Sequence, residues 1–177
     1  MIYINTMKRI FFFLGLILAF GCTQAQNNTA AKPAVPNIEN IPHYKILTKD
    51  STYLTDANLK KGKPVMFIYF SPDCTHCQHL MYEMKPEMDN FKDIQIVMVT
   101  FTRIDMLKML KEFYTDFNLK AYPNISMGTE YPNYALQRYY QVAMTPYIAI
   151  YDHKGKLVKS FVKAPKMDEL VAAVKKS

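Results

Sequence analysis

The run VMFIYF, residues 65–70, carries no charged side chain. Gly62, Lys63 and Pro64 lead into it and Ser71, Pro72 and Asp73 lead out, so turn-forming residues bound it on both sides. A continuous apolar and aromatic run of this length predicts a strand buried on both faces, not one that alternates between core and water. Such a strand belongs inside a sheet covered on both sides, which is an α/β arrangement.

The surrounding pattern supplies the covering elements. Residues 75–91 place Leu80, Met81, Met84, Met88 and Phe91 at helical spacing, with Pro86 expected to kink the helix. The segment IQIVMVTF, residues 94–101, predicts a second buried strand. Residues 104–118 repeat apolar side chains with the period of an amphipathic helix. Residues 119–141 are less regular, with a strand-like AYPNIS and a short helix in NYALQRYYQV. TPYIAIYD and LVKSFV, residues 145–152 and 157–162, flank the turn HKGK and predict a hairpin. MDELVAAVKK predicts a terminal helix, and residues 44–48 and 51–54 predict short strands. The expected order is β-α-β-α-β-β-α after a small β prelude, giving a mixed sheet with helices on both faces. At 177 residues, half of them apolar, the chain suits one domain and excludes a disordered one.

The first residues have a different character. Lys8 and Arg9 precede residues 10–20, IFFFLGLILAF, a charge-free run too short to span a bilayer comfortably and of the length of a signal-peptide core. Residues 1–25 are therefore expected to be a signal peptide. Two processing routes fit. Gly21 before Cys22 resembles a bacterial lipobox, which makes Cys22 the lipidation candidate; ordinary cleavage after Ala25 is the other route. Residues 26–43, rich in Ala, Pro and polar side chains, read as a flexible linker, leaving residues 44–177 as the folded domain. The domain is thus expected outside the cytoplasm, in the periplasm; the first route gives it a lipid anchor at Cys22 as its membrane attachment, and the second gives it none. Lys8 and Arg9 account for two of the seven net positive charges; the rest form no block that suggests nucleic-acid binding.

Of three cysteines, only Cys74 and Cys77 fall in the folded domain. A bridge between residues this close closes too small a loop to staple a fold, so the pair needs a chemical purpose. Either it is redox-active, or Cys74, Cys77 and His79 supply sulfur and nitrogen ligands to copper or zinc. A structural zinc site needs a fourth ligand, and His43 and His153 are remote in sequence. A c-type haem is excluded because Gln78, not histidine, follows Cys77.

KGKPVMFIYFSPDCTHC and YQVAMTPYIAIYDHKGKLVKSF carry a resemblance. They resemble the Lys-Gly-Lys-Pro strand running into Cys-x-x-Cys, and the later Pro-strand and hairpin, of the extracytoplasmic TlpA/ResA-like thiol-disulfide oxidoreductases, a bacterial family with the thioredoxin fold. The resemblance covers about residues 44–177. It implies thiol-disulfide exchange on exported cysteine-containing proteins, in the reducing or oxidising direction, with no cofactor and no bound metal. It implies a membrane electron-transfer partner for a reducing role, and a monomer. Cys74 is the implied nucleophile, at a helix N-terminus where backbone N–H groups favour a thiolate. Cys77 is the implied resolving thiol, forming a disulfide with Cys74 during turnover. His76 between them is expected to stabilise the thiolate. Thr145 and Pro146 are implied to form a cis peptide beside the cysteines and to pair with substrate backbone.

This chain also departs from the pattern. Ile68 stands where thioredoxins carry aspartate, Asp73 where they carry tryptophan, Leu80 where many TlpA/ResA-like proteins carry glutamate, and Tyr82 where they carry proline. Asp73, His79 and Glu83 are the candidates to replace the missing carboxylates, and Asp73 by itself opposes a neighbouring thiolate. Two other functions stay open at this level: a copper- or zinc-binding protein of the same fold, and a non-catalytic binding module, for which the aromatic-rich residues 113–140 supply a candidate surface.

Overall fold

The structure, a computed structural model, describes residues 37–177. The expected signal peptide, Cys22 and residues 26–36 of the expected linker lie outside the described residues. Seven strands form one mixed sheet in the order β2-β1-β5-β4-β3-β6-β7. The strands are β1 Lys45–Thr48, β2 Tyr53–Thr55, β3 Val65–Phe70, β4 Gln95–Thr100, β5 Ile125–Thr129, β6 Tyr147–Tyr151 and β7 Leu157–Phe161. The helices are α1 Thr75–Met84, α2 Leu107–Asp116, α3 Ala135–Tyr140 and α4 Met167–Val174. Among the described residues no helix is long and apolar enough to cross a membrane.

All six residues of β3 are buried, as its composition requires. It pairs in parallel with β4 and antiparallel with β6, so both edges are hydrogen-bonded while both faces are covered. Its alternation sorts two cores. Met66, Ile68 and Phe70 point into a cluster with Cys77, Leu80 and Met84 of α1, Leu110 of α2 and Leu170 of α4. Val65, Phe67 and Tyr69 point the other way, towards Tyr44, Leu136, Tyr140, Tyr147 and Tyr151. Three helices therefore cover one face, and α3 with the N-terminal segment covers the other.

Three local differences from the sequence expectation have physical reasons. The helix over 75–91 ends at Met84 and continues as a 3-10 segment, Lys85–Phe91. Pro86 cannot donate to the α ladder, and the tighter winding proceeds without that bond. The irregular stretch holds a strand, β5, and a helix, α3, so the order runs β-α-β-α-β-α-β-β-α after the prelude. Gly128 within β5 weakens the strand signal, but β1 requires it: a Cβ there would lie 2.8 Å from the Leu47 carbonyl oxygen. Finally, residues 37–43, which composition assigns to the linker, pack on the domain. Ile38 is buried, its carbonyl accepts from the Tyr151 hydroxyl at 3.1 Å, and Asn40 forms a β-bridge with Lys156.

Candidate functional site

The two cysteines sit where β3 gives way to α1. Cys74 is the N-cap residue of α1, in extended conformation, and its carbonyl accepts the N–H groups of Cys77 at 2.9 Å and Gln78 at 3.0 Å. The turn before it is closed by Cys74 N–H donating to the Ser71 carbonyl at 3.1 Å, and is braced by the Gln78 side chain donating to the Pro72 carbonyl at 2.8 Å. Sequence gave no signal for that Gln78 role, because it depends on the helix turning its side chain back over the loop.

Both cysteines are free thiols, and their surroundings differ. Cys77 lies one helical turn further in, is 2 % exposed, and belongs to the apolar core. Burial, then the neighbouring Cys74 side chain, pushes its thiol up to about 12. Cys74 is half-buried. Burial pushes its thiol up too, but hydrogen bonds from the Cys77 and Thr145 side chains and from the Cys77 and His76 backbone N–H groups outweigh it, and the thiol lies below its ordinary value. One contact works in the other direction: when protonated, Cys74 Sγ–H donates to the Thr145 carbonyl at 3.5 Å. That acceptor favours the thiol, while the Cys77 and Thr145 side chains, then the helix-start N–H groups, favour the thiolate.

Thr145 and Pro146 meet the cysteines across 71 residues of sequence, and the Thr145–Pro146 peptide is cis. Pro146 precedes β6, whose first residue, Tyr147, pairs with Tyr69 of β3. The strand pairing is what delivers this peptide to the end of β3 that holds Cys74. Exposed Met144 stands directly before it.

The remaining sequence candidates fall around this centre. His76 is exposed in the first turn of α1; its backbone N–H, not a hydrogen bond from its ring, reaches Cys74. Asp73 accepts a short hydrogen bond from the Ser71 hydroxyl, so its carboxylate is held by the turn. His79 and Glu83 pair with each other at 3.4 Å on the outer side of α1. Among the described residues no group of three or more His, Cys, Asp or Glu side chains is placed to hold a metal ion. Met81 and Met84 are core residues, as their helical spacing predicts. In residues 113–140, Phe113, Phe117 and Tyr140 are likewise buried, while Tyr131 and Tyr134 are half-buried and stack edge to face at 5.8 Å.

One buried carboxylate has no sequence signature. Glu130 is 2 % exposed and accepts from the Tyr69 hydroxyl at 2.7 Å and from the Leu136 and Gln137 N–H groups at 2.6 and 3.0 Å. It ties the end of β3 to the start of α3, the helix that leads to Thr145.

The family model described as a thioredoxin-like domain matches residues 55–175. Among curated proteins none matches the sequence significantly. Solved structures share the fold. A secreted Mycobacterium tuberculosis disulfide oxidoreductase homologous to E. coli DsbE superposes with a TM-score of 0.63 at 18% identity, over 76% of this chain and 96% of that one. A peroxiredoxin-like protein from Aquifex aeolicus gives 0.62 at 19% identity, over 78% and 85%. A putative protein disulfide isomerase from Bacteroides thetaiotaomicron gives 0.62 at 18%, over 81% and 88%.

Proposed function

The chain belongs to the thioredoxin-like domain family, and from that premise we propose that it is a thiol-disulfide oxidoreductase acting on exported proteins. The observation that carries the proposal is the contrast within the pair: Cys74 accessible with its thiol lowered, Cys77 buried with its thiol raised, both beside Thr145. A nucleophile and a resolving thiol need this difference.

In the reducing direction the Cys74 thiolate attacks a substrate disulfide. One S–S bond breaks, a Cys74–substrate S–S bond forms, and the leaving sulfur takes up a proton. Cys77 then loses its proton and attacks Cys74 Sγ, releasing the second substrate thiol and leaving a Cys74–Cys77 disulfide. Two electrons have passed to the substrate; the oxidising direction is the same sequence reversed. The thiol of Cys77 is too high to ionise alone at neutral pH, so its proton leaves as it attacks Cys74 Sγ. The sequence candidates for that proton are not aimed at Cys77: Asp73 is held by Ser71, and His79 and Glu83 hold each other. Water reaching the exposed side of Cys74 is the acceptor in this scheme. Thr145 and Pro146 align the substrate backbone, and the backbone N–H of His76 favours the Cys74 thiolate. The secretion of the Mycobacterium tuberculosis protein supports an extracytoplasmic site of action, in keeping with the leader-like residues 1–25.

A Cys77→Ser variant keeps the attacking thiol but lacks the resolving one. Incubated with an extract of exported, disulfide-bonded proteins, it accumulates mixed disulfides through Cys74, seen as reducible bands on a gel; a Cys74→Ser variant accumulates none. A folded Cys77→Ser protein that forms no adduct refutes the proposal.

A further inference from the structure

The two ends of the sheet differ in charge. The loops that leave β3, β4 and β5 and the one that enters β6, residues 71–74, 101–106, 130–134 and 141–146, carry Asp73, Asp105 and Glu130 against Arg103, and the segment that leaves β7 at this end, residues 162–166, adds Lys163 and Lys166, so acids and bases balance there. The loops at the opposite end, residues 59–64, 92–94, 118–124 and 152–156, carry seven lysines against Asp93 and Asp152. The register makes these segments neighbours: Val65 at the start of β3 pairs with Gln95 at the start of β4 and with Tyr151 at the end of β6. Gln95 also receives the Lys60 N–H at 2.6 Å and donates to the Lys60 and Lys63 carbonyls, which holds the LKKGKP loop against β4.

The seven lysines are exposed, and among the described residues none of them forms an ion pair. Residues 1–36 contain no acidic side chain that could neutralise them. Asp152 spends one carboxylate oxygen on the Lys154 and Lys156 backbone N–H groups. Six residues of β3 at roughly 3.3 Å each separate the lysine end from Cys74 by about 20 Å. That exceeds the screening length of about 8 Å at physiological salt, so the lysines act on partners at their own end and leave the thiols alone.

The form of the charge selects the partner. Lys60, Lys63 and Lys92 rim a cavity of about 330 Å³. The amides in its floor are already used: Gln95 on the LKKGKP loop, Asn124 on the Phe91 and Ile94 carbonyls. Besides the exposed Asn58 amide, the groups left to meet an anion are ammonium groups, and these segments contain no arginine fork for bidentate phosphate recognition. Spread point charges without fixed donors suit many anions arrayed on a plane better than one phosphate in a pocket. We propose that the lysine end of the sheet docks on an anionic lipid surface and so holds the cysteine end facing away from it.

The test uses the full chain on vesicles of phosphatidylcholine, or of an equal mixture of phosphatidylcholine and phosphatidylglycerol. Lysine acetylation by a membrane-impermeant reagent is read site by site by mass spectrometry. On the anionic vesicles Lys60, Lys61, Lys63 and Lys92 are expected to react about fivefold more slowly than on neutral ones, the effect of roughly one surface charge contact per lysine. Lys108, at the cysteine end, is expected to react equally on both, and high salt should remove the protection. The variant K60E/K61E/K63E/K92E should lose the vesicle preference while Cys74 alkylates at the wild-type rate, which reports an intact fold. Equal acetylation on the two vesicle types overturns the proposal. So does equal protection by inorganic phosphate or an RNA oligonucleotide without vesicles, either of which reassigns the surface to a soluble anion.

Discussion

The two faces of the sheet are closed by different chemistry. On the cysteine face β3 offers Met66, Ile68 and Phe70, and the helices answer with Leu80, Met84, Leu110 and Leu170, all apolar. On the opposite face it offers Phe67 and Tyr69, and the answer is tyrosine: Tyr44, Tyr140, Tyr147 and Tyr151. Their rings pack edge to face or tilted, as Tyr44 and Tyr151 do on Phe67, and several tyrosine hydroxyls on this face find partners. Tyr151 donates to Ile38, Tyr139 to Asn40 and Tyr69 to Glu130. The apolar face raises the cost of a charge, which is why Cys77 is hard to ionise. The aromatic face offers fixed acceptors to hydroxyls, which is why irregular segments can be fastened there.

The largest expected consequence concerns the thiols. At neutral pH, with Cys77 at about 12 and Cys74 below its ordinary value, Cys74 should alkylate more than about a thousandfold faster. Only thiolate reacts, so the Cys74 rate should rise with pH and level off below the pH at which a free thiol does. The Cys77 rate should keep rising about tenfold per pH unit towards 12. Iodoacetamide labelling followed by tandem mass spectrometry checks this; equal rates would remove the asymmetry between the thiols. Next in size is Met84→Ala on the cysteine face. Met84 is fully buried, so its truncation should destabilise the fold by about 3 kcal/mol, lost transfer and cavity terms together, read from the urea midpoint. The smallest effect is Tyr151→Phe on the other face. It removes one hydroxyl and leaves the packing, and should cost about 1 kcal/mol. That loss should be accompanied by faster amide exchange around Ile38. If Tyr151→Phe cost as much as Met84→Ala, the contrast between packed and fastened faces would fail.

What the sequence revealed follows the same division. The buried strand, the cysteine turn and the helix after it are written in a continuous run of neighbours, and so were legible. The mixed sheet with helices on both faces followed from repeating that logic along the chain, and its thioredoxin-like identity from the resemblance. β5 was obscured because Gly128 answers to the backbone of β1, a strand some eighty residues earlier in sequence. Residues 37–43 looked like linker because Pro, Asn and Glu dominate them, yet their attachment comes from Tyr139 and Tyr151 on the far side of the chain. Glu130 and the lysine end were invisible for the same reason: each is an assembly of residues that only the strand register brings together. At the centre, the closeness of Thr145 to Cys74 came from the resemblance rather than from local pattern, since nothing local links residues 71 apart.

The N-terminal segment also has a mechanical meaning. Any pull on the chain ahead of residue 37 reaches the domain through residues 38–41, which lie against the β6–β7 turn. There Leu157 N–H donates to the Glu39 carbonyl, Ile41 N–H to the Gly155 carbonyl, and Lys156 Nζ to the Asn40 side chain. A force directed along this segment loads those bonds together in shear, whereas a force across it peels them one by one. Either way the strain is spent at the edge of the sheet, on the side of β7, before it is transmitted to β3. A protein held at one end can thus be tugged without disturbing the alignment of its two sulfurs.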